Sequence, residues 1–377
     1  MTTPCYYPVK GGTETMVRNL SIKLNKIGIH TDVMTFNMTY KWKPKWKGET
    51  YRTDGITVFK IPALNWQPLT HSPRNTLGVN LIPGRFTNIL KQYDIIHYHE
   101  FDLTFPMFSY FTKKPKIFHL HGLDANFLKR YRLSRIVFNN AAHLYIAISQ
   151  QIRSDLKELG IPENKVIYLP NGIDTELFHP TDSREDNLII FVGRISPEKG
   201  LHILLKALNH LETSIRLVVI GPFWDSNYYQ DIRKLAETEK TRGKHKIEFL
   251  GALDLKDVIS WYQKASILVL PSFSEGLPVV VLEALSCETS VIATSVGGIP
   301  DIVKDLENGL LFPPGNPHKL AEEIQYLLND RTLRDRLGRE GRKRMIENFS
   351  LDTAVDRLNK LYVQILISQK TDQSRNY

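Results

Sequence analysis

The alternation of strand and helix patterns predicts an α/β protein of two doubly wound, Rossmann-like domains, and three observations support this. At 377 residues the chain exceeds what one hydrophobic core supports. From residue 188 onward short β-branched runs alternate with helical patterns, as in a parallel sheet covered by helices. Near Leu169 to Pro180 the segment LPNGIDTELFHP gathers proline and Asn-Gly turn chemistry, which marks a boundary between the halves.

In the first half, ETMVRNLSIKLNKIG reads as a helix closed by Gly28, and TDVMTF, YDIIHYHE and KIFHLHG read as strands. The start, MTTPCYYP, leaves only a few residues for a strand that such a fold buries at the centre of its sheet, so a true start upstream is expected. Between Met38 and Asn80, with Trp42, Trp46 and Trp66 among prolines and lysines, no period emerges and a long loop or hairpin is expected.

In the second half, LIIFVG, RLVVIG, KIEFLG, SILVLP, SVIAT and NGLLF are the strand candidates. Helices lie between them: Leu201, Leu204, Leu205, Leu208 and Leu211 recur at helical spacing, and LKDVISWYQKA and HKLAEEIQYLL follow later strands. Ser350 can cap a final helix, LDTAVDRLNKLYVQIL, whose apolar face needs a partner surface. The expected division is 1–175 for the first domain, 176–348 for the second, and 349–377 for a C-terminal helix packing back on the first.

Composition narrows the function classes. Hydrophobic residues make up 42% and charged residues 24%, a globular balance without disordered or collagenous bias. Cys5 and Cys287 have neither the number nor the spacing of a disulfide framework or a zinc site, which predicts a reducing, cytoplasmic compartment. No run approaches the roughly 18 apolar residues of a membrane span, and the given start shows no basic segment followed by an apolar one, so neither a span nor secretion is expected. The net charge of +9 is uneven, because residues 1–150 contain 20 Lys/Arg against 8 Asp/Glu and residues 151–377 contain 29 against 32. An anionic partner for the first half follows, and charge alone leaves nucleic acid, membrane surface and acidic substrate open.

Two segments carry the chemistry. In PSFSEGLPVVVLEALSC a strand ends at Pro271, a loop carries Glu275 and Gly276, and a helix begins near Pro278. Its N-terminus opens at the strand's carboxyl end, where open α/β sheets bind ligands, and its partial positive charge suits a diphosphate. Upstream, FVGRISPEKG sets Arg194 and Lys199 at a second strand-to-helix loop, two cations that would neutralise charge growing on a leaving phosphate. Taken singly, each is ordinarily a surface charge; their common placement argues otherwise.

FVGRISPEKG, PSFSEGLPVVVLEAL, SVIATSVGGIPDIV and NGLLFPPG together resemble the donor domain of family 4 retaining glycosyltransferases, the group 1 enzymes of GT-B fold. YYPVKGGTETMVRNLSIKLNKIG, YDIIHYHE, HLHG and YIAISQQIRSDL are similar to that family's acceptor-side blocks, so the resemblance spans nearly the whole chain. It implies two Rossmann-like domains facing across a cleft, a UDP- or GDP-linked hexosyl donor, and retention at the anomeric carbon. By the same resemblance Glu275 lies near the sugar hydroxyls, Glu283 at the nucleotide ribose, Arg194 and Lys199 at the diphosphate, and the Gly11-Gly12 loop with His121 at the reacting sugar. The donor-binding set is then Gly12, Arg194, Lys199, Glu275, Gly276, Leu277 and Glu283, and the catalytic set Glu275, His121, Arg194 and Lys199.

Departures from the family pattern stand at Gly276-Leu277-Pro278, where Pro278 has no N–H to donate, and at Glu288, Ser290 and Asp301. His97, His99, His119 and His121 form two His-x-His pairs that on strands share a face and could hold a metal, although satisfied or substrate-lining histidines are the commoner case. No Asp-x-Asp occurs, so no metal and no cofactor is expected, and leaving-group charge falls to Arg194, Lys199 and helix-end amides.

The expected acceptor is lipid-linked, a glycan or a small molecule. Lys41, Lys43, Lys45 and Lys47 with Trp42 and Trp46, and Phe127, Lys129, Arg130, Tyr131, Arg132 and Arg135, suggest an anionic membrane surface and a peripheral location. A dehydrogenase is disfavoured by the lack of Gly-x-Gly-x-x-Gly, and nucleic acid by the lack of any binding motif. A nucleotide-sugar-binding subunit with weak chemistry and a GT-B epimerase are the alternatives that share the architecture.

Overall fold

The structure, a computed structural model, describes residues 1–4, 6–7, 11–36, 48–61, 88–99, 112–123, 125–223, 225–241 and 244–374. Cys5, Trp42, Trp46, Trp66 and the four lysines from Lys41 to Lys47 lie outside the described residues. Two compact units emerge, Met1–Asn171 with Leu351–Tyr377, and Gly172–Ser350.

In the first unit the strands are β1 (Thr2–Thr3), β2 (Val33–Phe36), β3 (Glu49–Thr53), β4 (Ile56–Ile61), β5 (Ile96–His99), β6 (Lys116–Leu120), β7 (Leu144–Ala147) and β8 (Val166–Tyr168). Their order is β3-β4-β2-β1-β5-β6-β7-β8. Every pairing is parallel except β3 with β4, a hairpin turning at Asp54 and Gly55, both at positive φ. That hairpin occupies part of the stretch in which the sequence shows no period. The short central strand is present: Thr2 pairs with Met34 on one side and Tyr98 on the other.

Helices α1 (Gly12–Lys26), α2 (Ala125–Arg130), α3 (Arg132–Ala141) and α4 (Gln150–Glu158) accompany this sheet. Helix α1 stops where Gly28 takes φ 87°, a left-handed conformation that lets Ile29 N–H return to the Leu24 carbonyl.

The second unit alternates strictly: β9 (Glu185–Val192), α5 (Leu201–Leu208), β10 (Arg216–Ile220), α6 (Ser226–Thr241), β11 (Lys246–Gly251), α7 (Leu255–Lys264), β12 (Ala265–Leu270), α8 (Val279–Ser286), β13 (Ser290–Thr294), α9 (Ile299–Ile302) and β14 (Leu310–Phe312), then α10 (Pro317–Asn329) and α11 (Arg331–Asn348). All six strand candidates of this half fall on β9 to β14. The sheet is parallel in the order β11-β10-β9-β12-β13-β14, so successive strands step outward one way from β9 and the other way from β12. Their junction is the topological switch point at which α/β sheets open a crevice outside the carboxyl ends. Ile189, Phe191, Leu217 and Val219 pack one face under α5 and α10, while Ile190 and Val218 are buried on the other. Burial on both faces explains why these strands read as continuous apolar runs.

The last helix, α12 (Leu351–Ser374), belongs to the first unit. Its Leu358, Leu361, Tyr362 and Ile365 pack with Met16, Leu20 and Leu24 of α1 and with Ile117 and Ile146 of the sheet. Each such side chain contributes about 2 kcal/mol by burial, whereas the exposed Lys23–Asp352 ion pair at 2.7 Å contributes less than about 1 kcal/mol. Apolar packing therefore holds α12 in place.

Candidate functional site

At the switch point, three loops meet backbone to backbone. The loop after β9 ends in a turn at Pro197–Lys199 and then Gly200 at φ 70°, where an added Cβ would lie 2.0 Å from the Pro271 carbonyl oxygen. Phe273 N–H, in the loop after β12, donates to the Glu198 carbonyl at 2.8 Å. After β13, Gly297 at φ 55° approaches so closely that a Cβ would meet the Glu275 carbonyl oxygen at 1.8 Å. Only glycine meets both the left-handed conformation and the contact at these two positions.

This scaffold places the charged side chains. Lys199 Nζ pairs with Glu275 Oε1 at 2.7 Å, and Ser272 Oγ donates to the same oxygen at 2.7 Å. Thr294 Oγ1 in turn donates to the Ser272 carbonyl at 2.6 Å. The Glu275 side chain is only 7% exposed, so its charge is stabilised by this pairing rather than by water. Arg194 lies on the Lys199 loop and its guanidinium pairs with Glu198 at 2.7 Å. Gly276 follows Glu275, whereas the Leu277 side chain is buried, so its backbone alone can face a ligand.

Helix α8 leaves this site with Pro278 as its N-cap and no side-chain cap, which leaves its dipole end to whatever occupies the crevice. Its opposite end is held by two arginines. Arg342 donates to the Ser286 carbonyl at 2.5 Å, and Arg184 donates to those of Cys287 and Glu288 at 2.9 and 2.7 Å. Cations at a helix C-terminus satisfy orphan carbonyls and complement the dipole. Further along α8, Glu283 is partly exposed and accepts a hydrogen bond from Tyr262 Oη at 2.7 Å. Burial pushes its carboxyl up from 4.5 to about 7, against the opposing pull of the Tyr262 hydrogen bond.

In the first unit, His97 and His99 share a face of β5, and His119 lies directly across from His99 on β6. His121 follows at the strand's end. Ring centroids are 4.3 Å apart for His97 and His99, 4.9 Å for His99 and His119, and 4.6 Å for His119 and His121. His97 Nδ1 meets Tyr362 Oη at 2.6 Å and His99 Nδ1 meets His121 Nε2 at 3.0 Å. The remaining nitrogens, Nε2 of His97 and His99, both of His119, and Nδ1 of His121, are buried without a partner among the described residues. Each such orphan costs about 1–3 kcal/mol. Burial lowers all four pKa values, His121 to about 3 and the others well below their ordinary range, so the rings are neutral. Gly12 opens α1, with Gly11 as a cap that makes no side-chain hydrogen bond.

Sequence reasoning missed several supporting residues. Ser272 and Glu198 adjoin the motifs and could have been found as polar neighbours of Glu275 and Arg194. Tyr262 and Tyr362 are brought in by the fold from 21 and 265 residues away, and no local pattern marks them.

Comparison with known proteins joins these features. The family model of glycosyl transferases group 1 matches residues 174–344, and that of glycosyltransferase family 4 matches residues 10–177. An uncharacterised glycosyltransferase of Methanocaldococcus jannaschii is 30% identical, covering 96% of each chain. The O-antigen chain mannosyltransferase C of Escherichia coli is 25% identical over 97% of each. Among solved structures, sucrose-phosphate synthase of Thermosynechococcus elongatus superposes with a TM-score of 0.76 at 21% identity, over 97% of this chain and 99% of the other. HepE of Anabaena, solved with UDP, superposes with a TM-score of 0.76 at 18% identity, over 96% and 99%. The fold is that of these GT-B structures.

Proposed function

Because the chain belongs to the family 4, group 1 glycosyltransferases and is an enzyme of that kind, we propose that it moves a hexosyl unit, with retention, from a UDP- or GDP-linked sugar to an acceptor hydroxyl. One observation carries this reading: Lys199 and Glu275, from two different loops, meet at 2.7 Å at the sheet's switch point beside the uncapped end of α8. The diphosphate lies against Arg194, Lys199 and that helix end, which meet the charge developing on the leaving phosphate. Glu275, positioned by Ser272, accepts hydrogen bonds from the sugar hydroxyls, and Glu283 accepts one from the ribose. His121 and Gly12 serve the reacting sugar from the first unit. No metal is required at the diphosphate, since the two cations supply the positive charge.

Steady-state kinetics of Glu275→Ala test this reading. Turnover falls about a hundredfold or more with the fold intact, because an oriented contact at the reacting sugar is lost. Activity within about threefold of wild type removes Glu275 from that role.

The acceptor is a membrane-associated or lipid-linked hydroxyl, reached by docking on an anionic surface. The support is the basic excess of residues 1–150 and the exposed run of Lys129, Arg130, Tyr131 and Arg132 on α2 and α3. Arg130 lies 5.7 Å from the Tyr131 ring, an aromatic and cationic pairing suited to headgroup depth. Among the described residues no helix is long and apolar enough to cross a membrane, so attachment would be interfacial. Sedimentation with vesicles checks it: binding to anionic but not neutral lipid, weakening with salt, is expected. Equal partitioning onto both, or none, favours a water-borne glycan or small-molecule acceptor.

A further inference from the structure

We propose that His97, His99 and His119 form a binding site for one divalent transition-metal ion, with zinc the best fitted. One ring nitrogen from each lies within 4.8 Å of the others, all three residues are fully buried, and no other such group of His, Cys, Asp or Glu occurs among the described residues. The hydrogen bonding selects which nitrogens face the ion. His97 and His99 each engage Nδ1, with Tyr362 Oη and His121 Nε2, which leaves Nε2 as the lone-pair atom. Among the described residues, those two Nε2 atoms and both nitrogens of His119 have no partner. An imidazole that points one nitrogen inward while its other is hydrogen-bonded to an outer group is the usual arrangement of a metal-ligating histidine. One ion would satisfy three orphaned buried nitrogens at once.

An all-imidazole donor set suits zinc, copper, nickel or iron and disfavours magnesium and calcium, which require oxygen ligands. Tetrahedral zinc with bonds of about 2.0–2.1 Å holds its ligand nitrogens about 3.3 Å apart. The rings must draw together by at most about 1.5 Å from their present 4.8 Å limit, which side-chain rotation can supply. Three protein ligands leave a fourth position for water or substrate, the pattern of zinc sites that are not purely structural. With His99 bound through Nε2, its Nδ1–H donates to His121 Nε2, which leaves the His121 proton on Nδ1. That consequence for His121 depends on its proposed place at the sugar; the metal site does not. The diphosphate reading, built on Arg194 and Lys199, is untouched.

Zinc counting on the full chain decides the matter. The chelator-stripped protein, equilibrated with zinc chloride and freed of excess by gel filtration, should retain about one zinc per chain, and His119→Gln and His97→Asn should retain less than about a fifth of that. Tyr362→Phe, which keeps the packing and removes the hydroxyl on His97, should weaken zinc about 10- to 100-fold. His210 and His318, whose ring centroids lie 3.9 Å apart elsewhere, supply the control for adventitious zinc. If the zinc stays in His119→Gln and leaves in His210→Gln, or if wild type holds less than about a tenth of an equivalent, the assignment is overturned. Cobalt substitution gives a readout independent of variants that fold poorly. Intense visible absorption of four-coordinate Co²⁺ in the wild-type protein supports the site, and the weak spectrum of hydrated Co²⁺ contradicts it.

Discussion

The polar clusters singled out in the two units are built in opposite ways. In the second unit charges are paired: Glu275 with Lys199 and Ser272, Arg194 with Glu198, and the carbonyls at the end of α8 with Arg184 and Arg342. In the first unit the polar cluster is four neutral imidazoles, several of whose nitrogens have no partner among the described residues. Paired charges give a site that is already oriented before any ligand arrives, whereas unpartnered neutral donors and acceptors are a demand that a ligand can meet. The difference suits a division of labour in which the second unit grips an anionic diphosphate and the first awaits a ligand of its own.

The largest effect is expected at the backbone that orders the second unit's site. Gly297→Ala should lower stability by at least about 3 kcal/mol, because a Cβ there collides with the Glu275 carbonyl from a left-handed conformation. Denaturant midpoints measure it, and a variant as stable as wild type would show that the three loops are not held by that contact.

Next, Ser272→Ala should cost about 2 kcal/mol, since it removes a donor from a nearly buried carboxylate. Turnover should fall about tenfold with it, a smaller loss than at Glu275 because Ser272 only positions that side chain. Unchanged turnover would separate the hydrogen bond from the chemistry.

A third effect is smaller and depends on pH. Between 4.5 and about 7 the folded chain keeps a proton on Glu283 that the unfolded chain has released. Stability contributed by that proton is present at low pH and is lost as pH rises through the window. Glu283→Gln should flatten the decline by about 1–2 kcal/mol, the Tyr262 hydrogen bond to the carboxylate holding the figure down. Unfolding midpoints at pH of about 5 and about 8 compare the two proteins. Smallest of all, Lys129→Ala should change stability by less than about 0.5 kcal/mol, because its pair with Glu158 is solvent-exposed on both sides.

The second unit was the more legible in sequence, for a physical reason. Its strands are buried on both faces, so Leu188–Val192 and Leu217–Ile220 stand out as unbroken apolar runs, and the motifs with Arg194, Lys199 and Glu275 sit directly after them. In the first unit, β1 has two residues and β3 is largely exposed, so neither leaves a pattern that a window can detect. The helix starting at Gly12 was readable because Met16, Leu20 and Leu24 keep a helical period, and the strands at Ile96 and Lys116 because each is a short run rich in β-formers. The histidine spacing was also visible. What remained hidden was Tyr362, which completes that face only because α12 returns to the first unit, and the arginines Arg184 and Arg342, which serve α8 from distant positions.

The central claim, that the second unit's paired charges hold a nucleoside diphosphate sugar, is tested most directly by thermal shifts of the full chain with UDP- and GDP-sugars, in wild type and Lys199→Ala. A ligand at 100 times its dissociation constant stabilises by about 2.7 kcal/mol, so one donor should raise the wild-type midpoint clearly and lose most of that effect in the variant. An equal shift in both proteins, or no shift with any nucleotide sugar, would contradict the account.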